Sequence, residues 1–443
     1  MDKDKKILLA FYGDDFTGST DALEFLTRAG AKAVLFIEPP TPAQLAKYPG
    51  LNAYGVAGLT RSMPPKQMQE VLLPAFSEMK RSGARHVHYK VCSTFDSSPE
   101  IGSIGMAIDV GAEIFKSKII PLVVAAPVLG RYCLFGNLFA RMGIGSEGDI
   151  HRLDRHPSMS RHPVTPAEES DLRLQLAKQT KKKTGLLDVT QLSKTKEDIK
   201  EEVSKRIKEG ADILLIDAVY QQQMLPIGEL IDGGAGRSTL FSVGSSGIEM
   251  ALGAYWNQEG ILKPVNKWVH PGKSSPLLVI SGSCSPITSG QIEWARANGF
   301  EEVIADVKAI CNDDKKSMGN TIWNAQVLLQ KGKNVIVHTN GAGSAPASNL
   351  PSEKLGTALG SIAREIAAQK LFHRLVVAGG DTSSYAARAM GIEAVEMIAP
   401  LVPGAPLCKA IAPGSPLDGL EVNFKGGQVG GDNYFGVMVN GSL

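Results

Sequence analysis

Short runs of β-branched and apolar residues alternate with amphipathic stretches of helical length from one end of this 443-residue chain to the other. That alternation restricts the fold more than any other feature, because strands followed by helices build crossover units that stack into mainly parallel sheets covered by helices. In the first half, strands are expected at 6–12, 33–37, 52–58, 86–91, 119–125, 213–218 and 239–243. The clearest helix is expected at 197–210, with Ile199, Val203 and Ile207 on one face, charges opposite and Gly210 as a stop. Around 256–275 the pattern lapses into a segment rich in Gly, Pro and Lys, and it resumes with strands expected at 277–281, 303–307, 334–339 and 375–378. The reading is α/β: two domains, 1–255 and 276–443, joined by a linker at 256–275, each with a mainly parallel sheet flanked by helices.

Composition removes several function classes. Lys and Arg number 47 against 45 Asp and Glu, with no long run of one sign, which disfavours a nucleic-acid partner. Hydrophobic residues at 43% and charged residues at 21% suit large cores and not disorder. Five cysteines stand far apart with no CxxC pair, so a reducing, cytoplasmic compartment is expected. The first residues include acids and the apolar stretch after them ends at Gly13, too short for an export signal. No apolar run approaches the roughly 18 residues that span a bilayer, so no membrane partner is expected.

Several turns could carry chemistry. GDDFTGSTD (13–21) lies where the first strand should meet a helix, at the carboxyl edge of a parallel sheet. There Asp14 or Asp15 could accept a proton from a substrate hydroxyl while the other orients a polyol; equally, Asp14 or Thr17 could only cap the helix. YKVCSTFDSSPEIGSIG (89–105) offers Lys90, Ser93, Thr94, Asp96 and Ser97 as donors for a carboxylate or polyol. His86 and His88 share a strand face, but without a third ligand at a recognised spacing they read as ordinary strand histidines. HRLDRHPSMSRHPVTP (151–166), with Arg152, Arg155 and Arg161, is either an anion-attracting loop or a solvated basic one; as a long weakly periodic stretch it is expected to be functional or mobile. SGSCSPITSGQ (281–291), AGGDTSS (378–384) and FKGGQVGG (424–431) each present small residues and backbone N–H groups to an anion, although such turns are not specific singly. Gly272-Lys273-Ser274 fails as a P-loop because Lys267 stands where a glycine is required, and no GxGxxG follows the first strand.

Together, GDDFTGSTD, SGSCSPITSGQ, AGGDTS and FKGGQVGG, in that order across nearly the whole chain, resemble the four-carbon acid-sugar kinase family. The resemblance implies an N-terminal domain that binds a sugar acid, a C-terminal domain that binds ATP, and transfer in the cleft between them to a terminal hydroxyl of a tetronate, a 3-oxo-tetronate or a branched oxo acid such as 3-oxo-isoapionate. It places the base on Asp15 and a substrate pocket on Asp14, Arg61, Lys90, Thr94 and Asp96, to which Arg155 and Arg161 are added from the basic loop. It places the nucleotide on Ser283, Gly379, Gly380, Asp381, Thr382, Gly426 and Gly427. Mg²⁺ is expected to ride on the ATP phosphates, with Asp381 as a candidate ligand and no metal site otherwise assigned. A homodimer is compatible with such a chain. The chain departs from the family pattern at KVCSTFDSSPEIG, where relatives read roughly K-x-D-S-T-L-R-G-N, and in the 151–166 segment; both lie in the substrate half. The competing reading from another class is a non-catalytic sugar-acid sensor, which has no need of three phosphate-type turns.

Overall fold

A computed structural model describes residues 7–143, 147–162, 164–236, 238–339 and 351–442, apart from the side chains of Cys311 and Asp381. The chain divides into two compact units. One comprises Met1–Val34, Pro39–Met142 and Glu147–Asn266; the other includes Leu35–Glu38 and Lys267–Leu443.

In the first unit seven strands lie parallel in the order Ala53–Ala57, Leu9–Gly13, His86–Lys90, Leu240–Gly244, Ile120–Val123, Ile213–Ile216 and Thr184–Leu187. Helices on both faces bury most of these strands completely, which is why they read as continuous apolar runs instead of alternating ones. Register then sets up the site. Gly13 pairs with Lys90, and Lys90 pairs with Gly244, so three strands end level. Helices Phe16–Arg28 and Gly247–Gln258 begin just beyond that edge.

The stretch after Cys133, expected to be irregular, forms a small antiparallel sheet of Arg131–Leu134, Asn137–Arg141 and Ile150–Arg152. Its first hairpin turns on Phe135 and Gly136, both with positive φ, and the Asp217 carboxylate holds that turn by accepting both backbone N–H groups at 2.6 and 3.0 Å. The surface helix forms at Lys196–Lys208, opened by a capping box between Thr195 and Asp198, with Ile199 as its buried anchor. Helix Gly247–Gln258 runs into the segment read as a linker: Trp256 is fully buried and its indole N–H donates to Asp232 at 3.1 Å.

In the second unit Phe300–Ile304, Asn334–His338, Leu277–Ser281, Arg374–Ala378 and Glu421–Lys425 are parallel, and Ala405–Ile411 and Ala394–Val402 continue the sheet antiparallel. Leu35 and Phe36 pair with this last strand. The strand expected at 303–307 lies earlier because the Asp306 carboxylate accepts the N–H groups of Lys308 and Ala309, and so starts a helix at Val307.

Candidate active site

Level strand ends place Gly13, Lys90 and Gly244 side by side, and the turn after Gly13 carries both acids. Asp15 is the N-cap of Phe16–Arg28. Its Oδ1 accepts the Gly18 N–H at 2.9 Å, while its Oδ2 accepts the Thr17 hydroxyl at 2.7 Å and faces the Arg61 guanidinium at 2.9 Å. Burial would raise its pKa, but Arg61, the Thr17 hydrogen bond, Lys90 and the Gly18 N–H outweigh burial and hold it below the usual value. A carboxylate so fully supplied with donors makes a poor proton acceptor.

Asp14 is the opposite case. It is buried, its Oδ2 accepts the Cys92 N–H at a long 3.3 Å, and its Oδ1 has no hydrogen-bond partner. Burial first, then the neighbouring Asp15, push its pKa up to about 7 against the pull of Arg61 and Lys90. An oxygen left open on an acid that titrates near neutrality is what a general base requires.

Beside the pair lies a buried polar layer in which Lys90, expected in the substrate pocket, meets Asp21 and Glu249, which sequence reading missed. Lys90 is 1% exposed; its Nζ donates to the Val91 carbonyl at 3.0 Å and stands 3.9 Å from Asp21. Burial would lower its pKa, but Asp21, Asp14, Glu249 and Asp15 together raise it, so Lys90 remains charged. Asp21 accepts the Ser246 hydroxyl, and burial above all lifts its pKa to about 6. Glu249 contacts His88 Nδ1 at 2.6 Å. Asp21 and Glu249 sit inside helices, where the sequence pattern marks only position on a helix and not the strand end that the helix covers. The tight turn needs its glycines: a Cβ on Gly18 would come within 2.6 Å of Asp15 Oδ1 and 3.0 Å of Lys90 Nζ.

The turn after Lys90 buries Thr94, Asp96 and Ser97, with Phe95 held at φ +57° by a Phe95 N–H to Cys92 carbonyl bond. Asp96 Oδ1 lacks a partner. These residues line a small pocket with Leu153, Thr165 and Gln175, so the 151–166 loop packs against the turn through its apolar and hydroxyl residues. Its arginines point elsewhere: Arg152 pairs with Asp154 at the surface, Arg155 is 76% exposed, and Arg161 is exposed. A different arginine is buried. Arg131 donates from one terminal nitrogen to the carbonyls of Leu129, Gly130 and Arg141, while its Nε has no partner and Cys92, Asp96 and Asp21 act on its charge. Both strand histidines are buried against carboxylates, His86 on Asp232 and His88 on Glu249. No group of described His, Cys, Asp or Glu residues could hold a metal ion.

In the second unit the structure brings together three turns that lie far apart in sequence. Ser285 Oγ donates to the Gly427 carbonyl at 2.6 Å, a Cβ on Gly282 would strike Thr382 Oγ1 at 2.5 Å, and Gly379 adopts φ +120° where a Cβ would meet the same hydroxyl at 2.9 Å. Ser283, Gly379, Thr382 and Gly427 therefore cluster at the ends of Leu277–Ser281, Arg374–Ala378 and Glu421–Lys425, with Gly380 opening helix Gly380–Ala389 and Gly426 beginning the last turn. The Asp381 side chain lies outside the described atoms. The loop Gly426–Gly431 is pinned by Gln291, whose amide donates to the carbonyls of Val429, Gly430 and Gly431 at 3.0–3.2 Å. Helix starts and backbone N–H groups beside glycines are groups suited to binding an anion.

Comparison with known proteins agrees with this division. The sugar-binding N-terminal domain family matches residues 9–252 and the nucleotide-binding C-terminal domain family matches residues 278–435. A 3-oxo-isoapionate kinase of Paraburkholderia graminis is 39% identical over 99% of this chain and 95% of its own length. A 3-oxo-tetronate kinase of Salmonella typhimurium is 26% identical over 95% of this chain and 96% of its own. Among solved structures, a Salmonella typhimurium LT2 protein shares the fold with a TM-score of 0.76 at 24% identity, covering 98% of each chain.

Proposed function

The chain belongs to the four-carbon acid-sugar kinase family, and from that premise we infer that it is an ATP-dependent kinase that phosphorylates a terminal hydroxyl of a small sugar acid. The observation that carries the chemistry is Asp14: a buried carboxyl with one open oxygen and a pKa near 7. Asp14 accepts the hydroxyl proton as the oxygen attacks the γ-phosphorus, and this assignment replaces Asp15, whose oxygens are committed to the helix cap and Arg61. Lys90 and Arg61 keep the pair from becoming doubly protonated; Arg131 and the Thr94–Asp96 turn supply the remaining groups for the acid's carboxylate and hydroxyls.

In the second unit the clustered turns at Ser283, Gly379–Thr382 and Gly426–Gly427 cradle the phosphates of ATP. Phosphoryl transfer asks the protein mainly for charge neutralisation and in-line positioning, so loops of N–H donors suffice. Mg²⁺ would enter on the nucleotide and neutralise the phosphate charge; hydroxyls and backbone groups at the turns fit an ion carried mostly by phosphate and water. Transfer from the second unit's nucleotide to the first unit's substrate is part of this proposal, as is a cytoplasmic setting. The higher identity to the 3-oxo-isoapionate kinase, together with a 92–100 turn that departs from the tetronate pattern, favours a branched oxo acid over a linear tetronate.

A coupled ADP-release assay against linear and branched C4 and C5 sugar acids tests this. Turnover with 3-oxo-isoapionate exceeding that with 3-oxo-tetronate is expected. Tight acid binding with no ADP release from any acid would favour the sensor instead.

A further inference from the structure

Strand Glu421–Lys425 ends on a fully buried lysine for which no described carboxylate serves as partner. Lys425 Nζ donates to Thr288 Oγ1 at 3.0 Å and to the Gly426 carbonyl at 3.0 Å, and it lies 5.4 Å from the centre of the Tyr434 ring. Its own carbonyl accepts the Gly379 N–H at 2.9 Å, and Thr288 Oγ1 also accepts the Ser283 hydroxyl at 3.1 Å. One residue thus meets all three turns of the cradle, two through its amine and the third through its backbone carbonyl.

Several described charged groups on neighbouring elements are engaged elsewhere or exposed. Arg374 and Glu421 bind each other at the far end of the two strands, Arg388 pairs with Glu38, Arg296 pairs with Glu302, and Lys409 is exposed. The Tyr434 phenol donates to Asn423, and Cys408 is buried on the next strand. Glu293 shares the helix of Thr288, and Asp381 is the acid of helix Gly380–Ala389. Burial, with no carboxylate partner among the described side chains, lowers the Lys425 pKa to about 7. A neutral side chain could brace these turns at far less desolvation cost, so the ammonium is matched to an anion that arrives from outside.

Resting on the nucleotide-binding reading of this unit, we propose that Lys425 is a positioning cation of the nucleotide site, holding the Ser283–Thr288 and Gly426 turns against the phosphates and taking up a proton from solvent as they bind. The polyphosphate supplies the missing counter-charge and so favours the ammonium over the neutral amine.

The experiment is calorimetric titration of the whole chain with Mg·ADP, between pH 6 and 9, in buffers of low and high ionisation enthalpy. Proton uptake near zero is expected at pH 6, where the lysine is already charged, rising to about one proton near pH 8. Lys425→Met should abolish the uptake and weaken Mg·ADP by about 10–100-fold, the range for losing a charged hydrogen bond, while Asp381→Asn keeps the uptake. Wild-type binding without uptake at pH 8, or uptake that survives Lys425→Met or vanishes in Asp381→Asn, overturns the proposal. Should Lys425→Met not fold, the wild-type pH series decides alone. No binding of Mg·ADP at all would instead overturn the nucleotide reading itself, and the proposal with it.

Discussion

Lys90 and Lys425 end a parallel strand in the same way, one in each unit. Each donates from Nζ to the carbonyl of the next residue at 3.0 Å, and the backbone carbonyl of each receives the first N–H of the adjoining turn, Asp14 in one case and Gly379 in the other. Their surroundings are opposite. Asp21, Asp14, Glu249 and Asp15 surround Lys90 and raise its pKa, whereas Lys425 has a hydroxyl, a carbonyl and a ring, and burial lowers its pKa to about 7. The same backbone device therefore yields an internally neutralised site in one unit and an anion-hungry one in the other. A site that must deprotonate a hydroxyl needs carboxylates with a tuned proton affinity; a site for polyphosphate needs positive charge left over.

The largest expected effect tests the acidic side. Asp14→Asn should lower kcat by about 10²–10⁴-fold, the range for a lost general base, and Asp15→Ala should cost far less turnover and instead destabilise the helix start by about 1 kcal/mol. Equal kcat losses in the two variants would return the base to Asp15. Because Asp14 acts only when deprotonated, kcat/KM for the sugar acid should rise with pH through about 7. In Lys90→Met that midpoint should move upward, since a positive neighbour of the carboxylate is lost.

The next effect separates the two lysines by stability. Removing Lys90 strands several buried carboxylates, and chemical denaturation should show a loss of about 3–5 kcal/mol, typical of breaking a buried pair. Lys425→Met removes an unpaired buried amine and should leave the midpoint unchanged or higher. A loss at Lys425 as large as that at Lys90 would mean that the contrast in charge environment is not the controlling difference.

The smallest effects concern arginines. Arg131→Lys should raise KM for the acid by about 10–100-fold, in line with 1.5–3 kcal/mol for a charged hydrogen bond, with little change in KM for ATP. Arg155→Ala and Arg161→Ala, exposed as those residues are, should each stay within about 0.5 kcal/mol. Selective rises at Arg155 or Arg161 would restore the basic loop as the carboxylate's partner.

Much of this architecture was legible in the chain itself. Buried parallel strands are mostly apolar or β-branched and are usually followed by helices, so the strands around Gly13, Lys90, Gly244 and Ser281 could be recognised from local pattern. The turn residues proposed to face ligands stood out as well: glycines and short polar side chains are needed where a strand meets a helix tightly. Less legible were Thr184–Leu187, an edge strand with a glycine in a short run, and the antiparallel strands Ala394–Val402, which is only partly buried, and Ala405–Ile411, which is interrupted by an exposed lysine; neither of these two is followed directly by a helix.

Sequence alone could nominate Asp14 and Asp15 together, because adjacency is local, but it could not divide their roles. The proposed division rests on Arg61, Thr17 and Gly18 converging on Asp15 while one Asp14 oxygen stays open. Likewise, Lys425 beside a run of glycines looked like part of a loop. Only the packing of Thr288, Gly426 and Tyr434 around its amine, without an acid among the described partners, gave it a distinct electrostatic character. The physical reason is the same in both units. Backbone pattern is set by neighbours in the chain, whereas the proton affinity of a buried group is set by burial and by charges that the fold brings in from distant segments.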